Sequence, residues 1–226
     1  MNSRFIWTLG LLAACAMSSP AQAVTLNALS SGTYSGNGSP AHDPNSYLTG
    51  GNAYGPDWRS YFVYDLTAVT GTITAAALHL FSPSPGGFWS DSPTETLAIF
   101  DVATSIPVLT SGSGGIPAWT DLGSGLQFGS VVVSYASNGT FIDIALNAAG
   151  LAYLNGKLGG QVAFGGAITT LTPMIDPEYV FGNSITSVPS NTQLILQTSA
   201  VPISPAVWLF GSALGVMGWM RRRITA

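Results

Sequence analysis

Three kinds of side chain in this sequence could do chemistry, and their spacing decides which chemistry. The histidines are His42 and His79. His42 precedes Asp43 in a Ser-, Gly- and Pro-rich stretch, a neighbour pair that arises often by chance. His79 falls between Leu78 and Leu80 in an alternating segment, where it points outward. The chain has no Gly-x-Ser-x-Gly elbow, no His-Glu-x-x-His helix and no phosphate loop. Nucleophilic and zinc catalysis therefore lack their residues. The remaining enzymatic route is a carboxylate pair, Asp91 with Glu95 or Asp176 with Glu178. A glycosidase needs two carboxyl groups about 5–10 Å apart across a cleft. Sequence spacing does not supply that cleft, and acids beside Pro are usually solvated turn residues. The reading is non-enzymatic.

Calcium is the better inorganic ligand. Asp43, Asp57, Asp91 and Asp121 lie in turn-rich segments, where carboxylate and backbone oxygens can converge on a hard cation. Asp43, Asp57 and Asp91 are the candidate ligands, without EF-hand spacing; separate turn aspartates are the alternative. Aromatic residues in loops are more suggestive. Tyr47, Tyr54 and Trp58 flank a Gly-rich loop, Phe88 and Trp89 follow Gly86-Gly87, and Trp119 sits in Pro117-Ala118-Trp119. Exposed rings stack on sugar C–H faces, and nearby Asp, Asn or Arg59 can bond the hydroxyls. The candidate glycan-binding residues are Trp58, Trp89, Trp119, Tyr54 and Arg59. The alternative is that these rings close the ends of a hydrophobic core.

The elements that must position these residues are strands. Trp58–Leu66 is rich in aromatic and β-branched residues, and Ile73–Ser82 alternates with Leu78 and Leu80 on one face. Leu97–Val102, Ser130–Tyr135, Phe141–Leu146, Gln161–Phe164, Tyr179–Phe181 and Gln193–Thr198 follow. Turn clusters such as Ser84-Pro85-Gly86-Gly87 and Ser111 to Gly115 separate them. One short helix interrupts them, capped by Asn147, with Leu151 and Leu154 on one face and Asn155-Gly156 at its end. The expected fold is all-β: a single jelly-roll-like β-sandwich with one short helix, between an N-terminal signal helix and a C-terminal transmembrane helix.

Composition agrees, with 27 Gly, 14 Pro and only 7% charged residues in 226. Between residues 24 and 200 the only cations are Arg59 and Lys157, against all ten acids, so this region carries −8. Two cations cannot neutralise a run of phosphates, which excludes nucleic acid as a partner. The one cysteine is Cys15, so this region uses no disulfide and no thiolate site.

Both ends carry export signals. Arg4, the apolar run Phe5–Met17 and Ala21-Gln22-Ala23 form a secretory signal over residues 1–23, cleaved by signal peptidase after Ala23. A competing reading takes Leu12-Ala13-Ala14-Cys15 as a lipoprotein box with Cys15 lipidated. Residues 201–226 begin Val201-Pro202-Ile203-Ser204-Pro205-Ala206, continue apolar through 206–220, and end in Arg221, Arg222 and Arg223. At helical rise the apolar run spans about 22 Å, short of a bilayer core of about 30 Å. The Arg cluster holds that end in the cytoplasm. An ordinary single-pass anchor is the plain alternative.

This tail resembles the PEP-CTERM class of sorting signals, in particular its Val-Pro-x-Pro-Ala variants, with Ser204 inserted before the second Pro. The resemblance implies an exosortase-like membrane protease as partner, in a Gram-negative bacterium that secretes exopolysaccharide. Residues 24–200 also resemble the DNRLRE-type jelly-roll domain. The matching stretches are Arg59 to Leu66, Gly71 to Leu80 and Leu151 to Gly156, with Tyr64 where that family carries Phe and Tyr153 where Trp is common. Taken together, the expectation is an exported protein, anchored in the inner membrane as a precursor and then placed at the cell surface or in the matrix. There it associates with exopolysaccharide in a biofilm, with calcium as the one cofactor considered. The other function class is a structural or adhesive surface protein with protein partners and no sugar binding.

Overall fold

The stretch WRSYFVYDL carries apolar side chains at odd and even positions alike, so a strand made from it must be covered on both faces. The computed structural model describes residues 22–37, 43–51, 55–172, 176–184 and 188–199. In it this stretch forms β5 (Trp58–Asp65). Phe62 and Tyr64 enter the main core, while Tyr61 and Val63 enter a second, smaller cluster on the opposite face.

The elements before β5 are β1 (Gln22–Asn27), β2 (Ser30–Ser35), β3 (Asp43–Pro44) and β4 (Thr49–Gly51). After it come β6 (Thr72–Phe81), β7 (Phe88–Trp89), β8 (Thr94–Phe100), α1 (Ile106–Ser111), α2 (Gly115–Asp121) and β9 (Gln127–Ser134). The chain continues with β10 (Phe141–Ala145), α3 (Ala148–Gly156), β11 (Gln161–Ile168), β12 (Glu178–Val180) and β13 (Thr192–Ser199). Two antiparallel sheets result. One has the order β1-β13-β6-β10; the other runs β7-β12-β4-β5-β11-β8-β9, with β2 on β5 and β3 on β2. The larger sheet is curled, and its two ends meet: the Phe88 N–H donates to Asn138 Oδ1 (2.6 Å), and Phe88 meets Tyr135 edge-on at 5.1 Å. The protein is thus mostly β, with curled sheets packed as a β-sandwich.

The main core fills the space between the sheets. Phe62, Phe88, Phe164 and Phe181 are 0% exposed there, each contributing about 1.5–3 kcal/mol of burial. Leu78 and Leu80 face this core and His79 faces out, as their alternation requires. The expected helix is present as α3. Asn147 caps it by accepting from the N–H groups of Ala149 and Gly150. Asn155 then ties it to β6, its Oδ1 accepting from the Ile73 N–H and its Nδ2 donating to the Ile73 carbonyl, both at 2.9 Å. The side-chain amide there takes the place of a neighbouring strand.

The expectation of one short helix is corrected. The described residues hold three α-helices, and α1 and α2 cover the outer face of β2, β5 and β11 as a further layer. Ser111 to Gly115, expected as a plain turn cluster, contains the end of α1 and the start of α2. Gly112 closes α1 at φ 74°, a left-handed cap that favours glycine. Helices of six and seven residues are not stable alone; packing holds them. The Tyr34 hydroxyl bonds the carbonyls of Val108 and Leu109 at 2.9 and 2.8 Å, and Leu109, Ala118 and Leu122 are 0% exposed.

β1 and β13 pair with Gln22 opposite Thr198, so Gln22 and Ser199 lie at one corner of the smaller sheet. The expected transmembrane helix lies outside the described residues, as does the expected signal helix except for Gln22 and Ala23, which open β1 as strand. Also outside them lie Cys15, Ala21, His42, Tyr54, the 201–206 motif (Val201, Pro202, Pro205, Ala206) and Arg221, Arg222 and Arg223. Among the described residues no helix is long and apolar enough to cross a membrane.

Candidate functional site

β2 and β5 pair with Tyr34 opposite Arg59 and Ser35 opposite Trp58. Neighbouring strand residues point to opposite faces, so Arg59 rises toward the helix layer and Trp58 turns the other way. The Arg59 guanidinium carbon lies 3.9 Å from the centroid of the Trp119 ring on α2. Its Nη1 donates to the last carbonyls of that helix, Trp119 (3.0 Å) and Thr120 (2.9 Å). Two glycines make the approach feasible. A Cβ on Gly123 would meet the guanidinium at 2.5 Å, and one on Gly36 would meet the indole at 3.0 Å.

Beside this stack is a cleft of about 420 Å³ lined by Gly36, Asn37, Gly55, Pro56, Asp57 and Trp119. It offers one aromatic ring, one amide and one carboxylate. Asp57 is exposed at its mouth. Loss of solvent contact pushes its carboxyl above the usual range, and the nearby Arg59 charge pulls it partly back. The Trp119 indole N–H is buried and has no partner among the described residues, a cost of about 1–3 kcal/mol when an acceptor is missing. The cleft can therefore take a small neutral ligand that lays an apolar face on Trp119 and presents donors to Asp57 and Asn37.

The structure brings together some expected site residues and separates others. Trp119, Arg59 and Asp57 meet here. Trp58 is half-buried on the other face of the sheet. Trp89 is 48% exposed at the far end of the sheet, beside Tyr135. A single open face of Trp58, Trp89 and Trp119 does not form, because strand alternation and sheet order set them apart.

The two carboxylate pairs read from local spacing merge into one group. Glu95 and Glu178 are each 1% exposed and share Ser90, whose Oγ is 2.6 Å from Glu95 and 3.5 Å from Glu178. The Thr170 hydroxyl donates to the second oxygen of Glu95. The backbone N–H and hydroxyl of Thr172 donate to Glu178, both at 3.0 Å. Asp91 stands at the rim; loss of solvent contact raises its carboxyl, with Asp176 and Glu178 adding repulsion. The two glutamates are covered, so no substrate cleft opens between them.

The three calcium candidates do not gather. Asp57 lies near the charge of Arg59, and Asp91 near those of Asp176 and Glu178. Asp43 pairs with Thr33 through its backbone, and its side chain lies outside the described set. Among the described residues no group of three or more His, Cys, Asp or Glu is arranged to hold a metal ion. His79 forms a surface cross-strand pair with Asp143 (2.5 Å) and stacks on Phe141 at 4.1 Å.

Sequence reasoning missed Gly36, Asn37 and Pro56 at the cleft, and Tyr135 and Tyr179 around Trp89. Nothing local marks the first three. Tyr135 ends a recognisable strand, and Tyr179 begins one, which was the available signal. No family model matches the chain, and no curated protein matches it.

Proposed function

We propose that this chain is a non-enzymatic exported envelope or matrix protein whose jelly-roll-like domain binds a neutral exopolysaccharide. The carrying observation is the cleft, which sets Trp119 beside a carboxylate and an amide. Its volume falls at the low end of small-ligand sites, about 300–1,000 Å³, which suits one or two sugar units. The export reading rests on the Ala21-Gln22-Ala23 site and the PEP-CTERM-like tail. Under that reading signal peptidase and an exosortase-like protease process the two ends, and the inner membrane holds the precursor. The shared corner of Gln22 and Ser199, where the described residues next to both terminal segments meet, supports it. That corner belongs to the smaller sheet, whereas the cleft lies on the outer face of the larger one, away from the tether. The covered state of Glu95 and Glu178 favours binding over hydrolysis.

Affinity per site is expected near millimolar, since few contacts form and sugar hydroxyls must leave water. Many copies on one fibre offset this through multivalency. The test is a titration of the full-length chain in mild detergent with neutral oligosaccharides from a glycan array, beside Asp57→Asn and Asn37→Ala. Both variants change exposed or half-exposed groups and should melt like the parent. Binding should fall several-fold in each. Binding that is unaltered in both variants, or absent from every neutral glycan, returns the structural or adhesive reading with protein partners.

A further inference from the structure

Trp89 and Tyr135 are the most exposed aromatic rings among the described residues, at 48% and 51%. They stand 6.4 Å apart at 70°, forming an open corner. Tyr135 is held there edge-on against the buried ring of Phe88. On β12, Tyr179 is the register partner of Trp89, and a Cβ on Gly182 would meet the Tyr179 ring at 2.3 Å. That contact fixes the third ring beside the other two. Large exposed rings gathered at one place mark an interaction surface.

The charge around these rings has one sign. Asp91 follows Trp89 by two residues and Asp176 precedes Tyr179 by three, and both are exposed. Neither cation of this region is available to them. Arg59 is stacked on Trp119 and bonded to the Trp119 and Thr120 carbonyls, and Lys157 stands over Tyr153 on α3. Ring faces and carboxylates attract the same kind of ligand, a cation with an apolar face.

We propose that the Trp89–Tyr135–Tyr179 surface is a second glycan site, and that its ligand is a cationic amino-sugar polymer with free ammonium groups. A hexosamine unit carries a flat C–H face for a ring and an ammonium on the ring itself for Asp91 or Asp176. A lysine-rich peptide offers the same charge, but ordering each flexible side chain costs about 1.5–2 kcal/mol. The surface lies three strands from β5 in the sheet order, roughly 14 Å at ordinary strand spacing. It is therefore separate from the cleft and stands or falls apart from it.

The experiment titrates the full-length chain in mild detergent with glucosamine hexamer, N-acetylglucosamine hexamer and oligolysine, following tryptophan fluorescence. The pH lies between the carboxyl and amine pKa values. The glucosamine hexamer should bind about tenfold more tightly than the acetylated one, and added salt should weaken it. Trp89→Ala should lose that binding, Trp89→Tyr should keep it within a few-fold, and Trp89→Ala should leave neutral-glycan binding at the cleft intact. Equal binding of the acetylated hexamer overturns the proposal, as does oligolysine binding of equal strength with the same dependence on Trp89. If Trp89→Ala does not fold, Asp91→Asn at its exposed turn decides: undiminished glucosamine binding overturns the proposal, and several-fold loss supports it. Loss of neutral-glycan binding in Asp57→Asn alone bears on the cleft and not on this surface.

Discussion

Tyr64 and Tyr47 are neighbours in the core, both 0% exposed, yet removing their hydroxyls should shift stability in opposite directions. The Tyr64 hydroxyl has no hydrogen-bond partner among the described residues. Burial, with the Tyr47 phenol beside it, raises its pKa well above the ordinary value. The ring itself packs edge-on to Phe164 at 6.1 Å, a contact that Phe preserves. Tyr64→Phe therefore removes an unpaired buried hydroxyl, worth about 1–3 kcal/mol. The void left by one oxygen, on the order of 10 Å³, costs only about 0.2 kcal/mol at about 24 cal/mol per Å³, so the first effect wins. The melting temperature should rise by roughly 2–12 °C for a domain of this size.

Tyr47 gives the internal control. Its hydroxyl donates to the Phe81 carbonyl at 2.8 Å, so Tyr47→Phe loses a bond and strands an acceptor, a cost of about 1–3 kcal/mol. Urea unfolding of the two variants beside the parent measures both signs. A pH series adds a second check. Because burial raises the Tyr64 pKa in the folded state, the parent loses stability as pH rises above about 10. Tyr64→Phe should lose less there. If Tyr64→Phe is no more stable than the parent at neutral pH, the hydroxyl has an acceptor and the reasoning fails.

Two further predictions concern the site and the ends. Arg59→Ala should destabilise by about 2–4 kcal/mol, combining charged hydrogen bonds to two carbonyls with the ring stack, and lower the melting temperature by roughly 4–16 °C. Arg59→Lys should recover less than half, since an ammonium cannot bond both carbonyls while lying flat on Trp119; a Lys variant as stable as the parent contradicts this. Mass spectrometry of secreted or envelope material should find chains that begin at Val24 and end within residues 201–206. Such cleavage leaves Val24–Asn27 paired with Gln193–Leu196. A lipid on Cys15, or Arg221–Arg223 retained on all mature protein, would refute it.

What was legible in the sequence follows the range of the signal. All eight expected strands exist, because each has enough alternation or β-branched content to need a pleated partner. Five strands went unread: SSGTYS in β2, DP in β3, TGG in β4 and the two residues of β7 are short or poor in large side chains, and QAVTLN in β1 overlaps the expected signal cleavage site. Their pairing comes from neighbours already in place. α1 and α2 were hidden because each is under two turns long, carries a Pro and is flanked by the Ser- and Gly-rich stretch 111–115, and contact with Tyr34 and the outer face of β5 holds them helical. The site shows the same division. The doublets Asp91/Glu95 and Asp176/Glu178 are visible as spacing, but their union requires β7 to pair with β12 across some 90 residues of chain. Trp58, Trp89 and Trp119 look alike as loop aromatics. Whether strand, edge or helix carries each ring is a long-range outcome that no local pattern encodes.

The uses of the two cations constrain any polymer that the domain meets. Arg59 is consumed by the fold, stacked on Trp119 and bonded to the end of α2. Lys157 sits at the end of α3, over Tyr153. Neither reaches the carboxylates around Trp89, so an approaching ligand meets rings, amides and unneutralised acids. With −8 on the region, an anionic polysaccharide is repelled at any distance within a Debye length, about 8–10 Å at physiological salt. A neutral polymer is admitted at the cleft, where Asp57 is the one acid and Arg59 offsets it. A cationic polymer is drawn to the Trp89 surface, where nothing offsets Asp91 and Asp176. The same shortage of cations therefore divides the two proposed surfaces by ligand charge, and salt should separate them experimentally: weakening the second while leaving the first nearly unchanged.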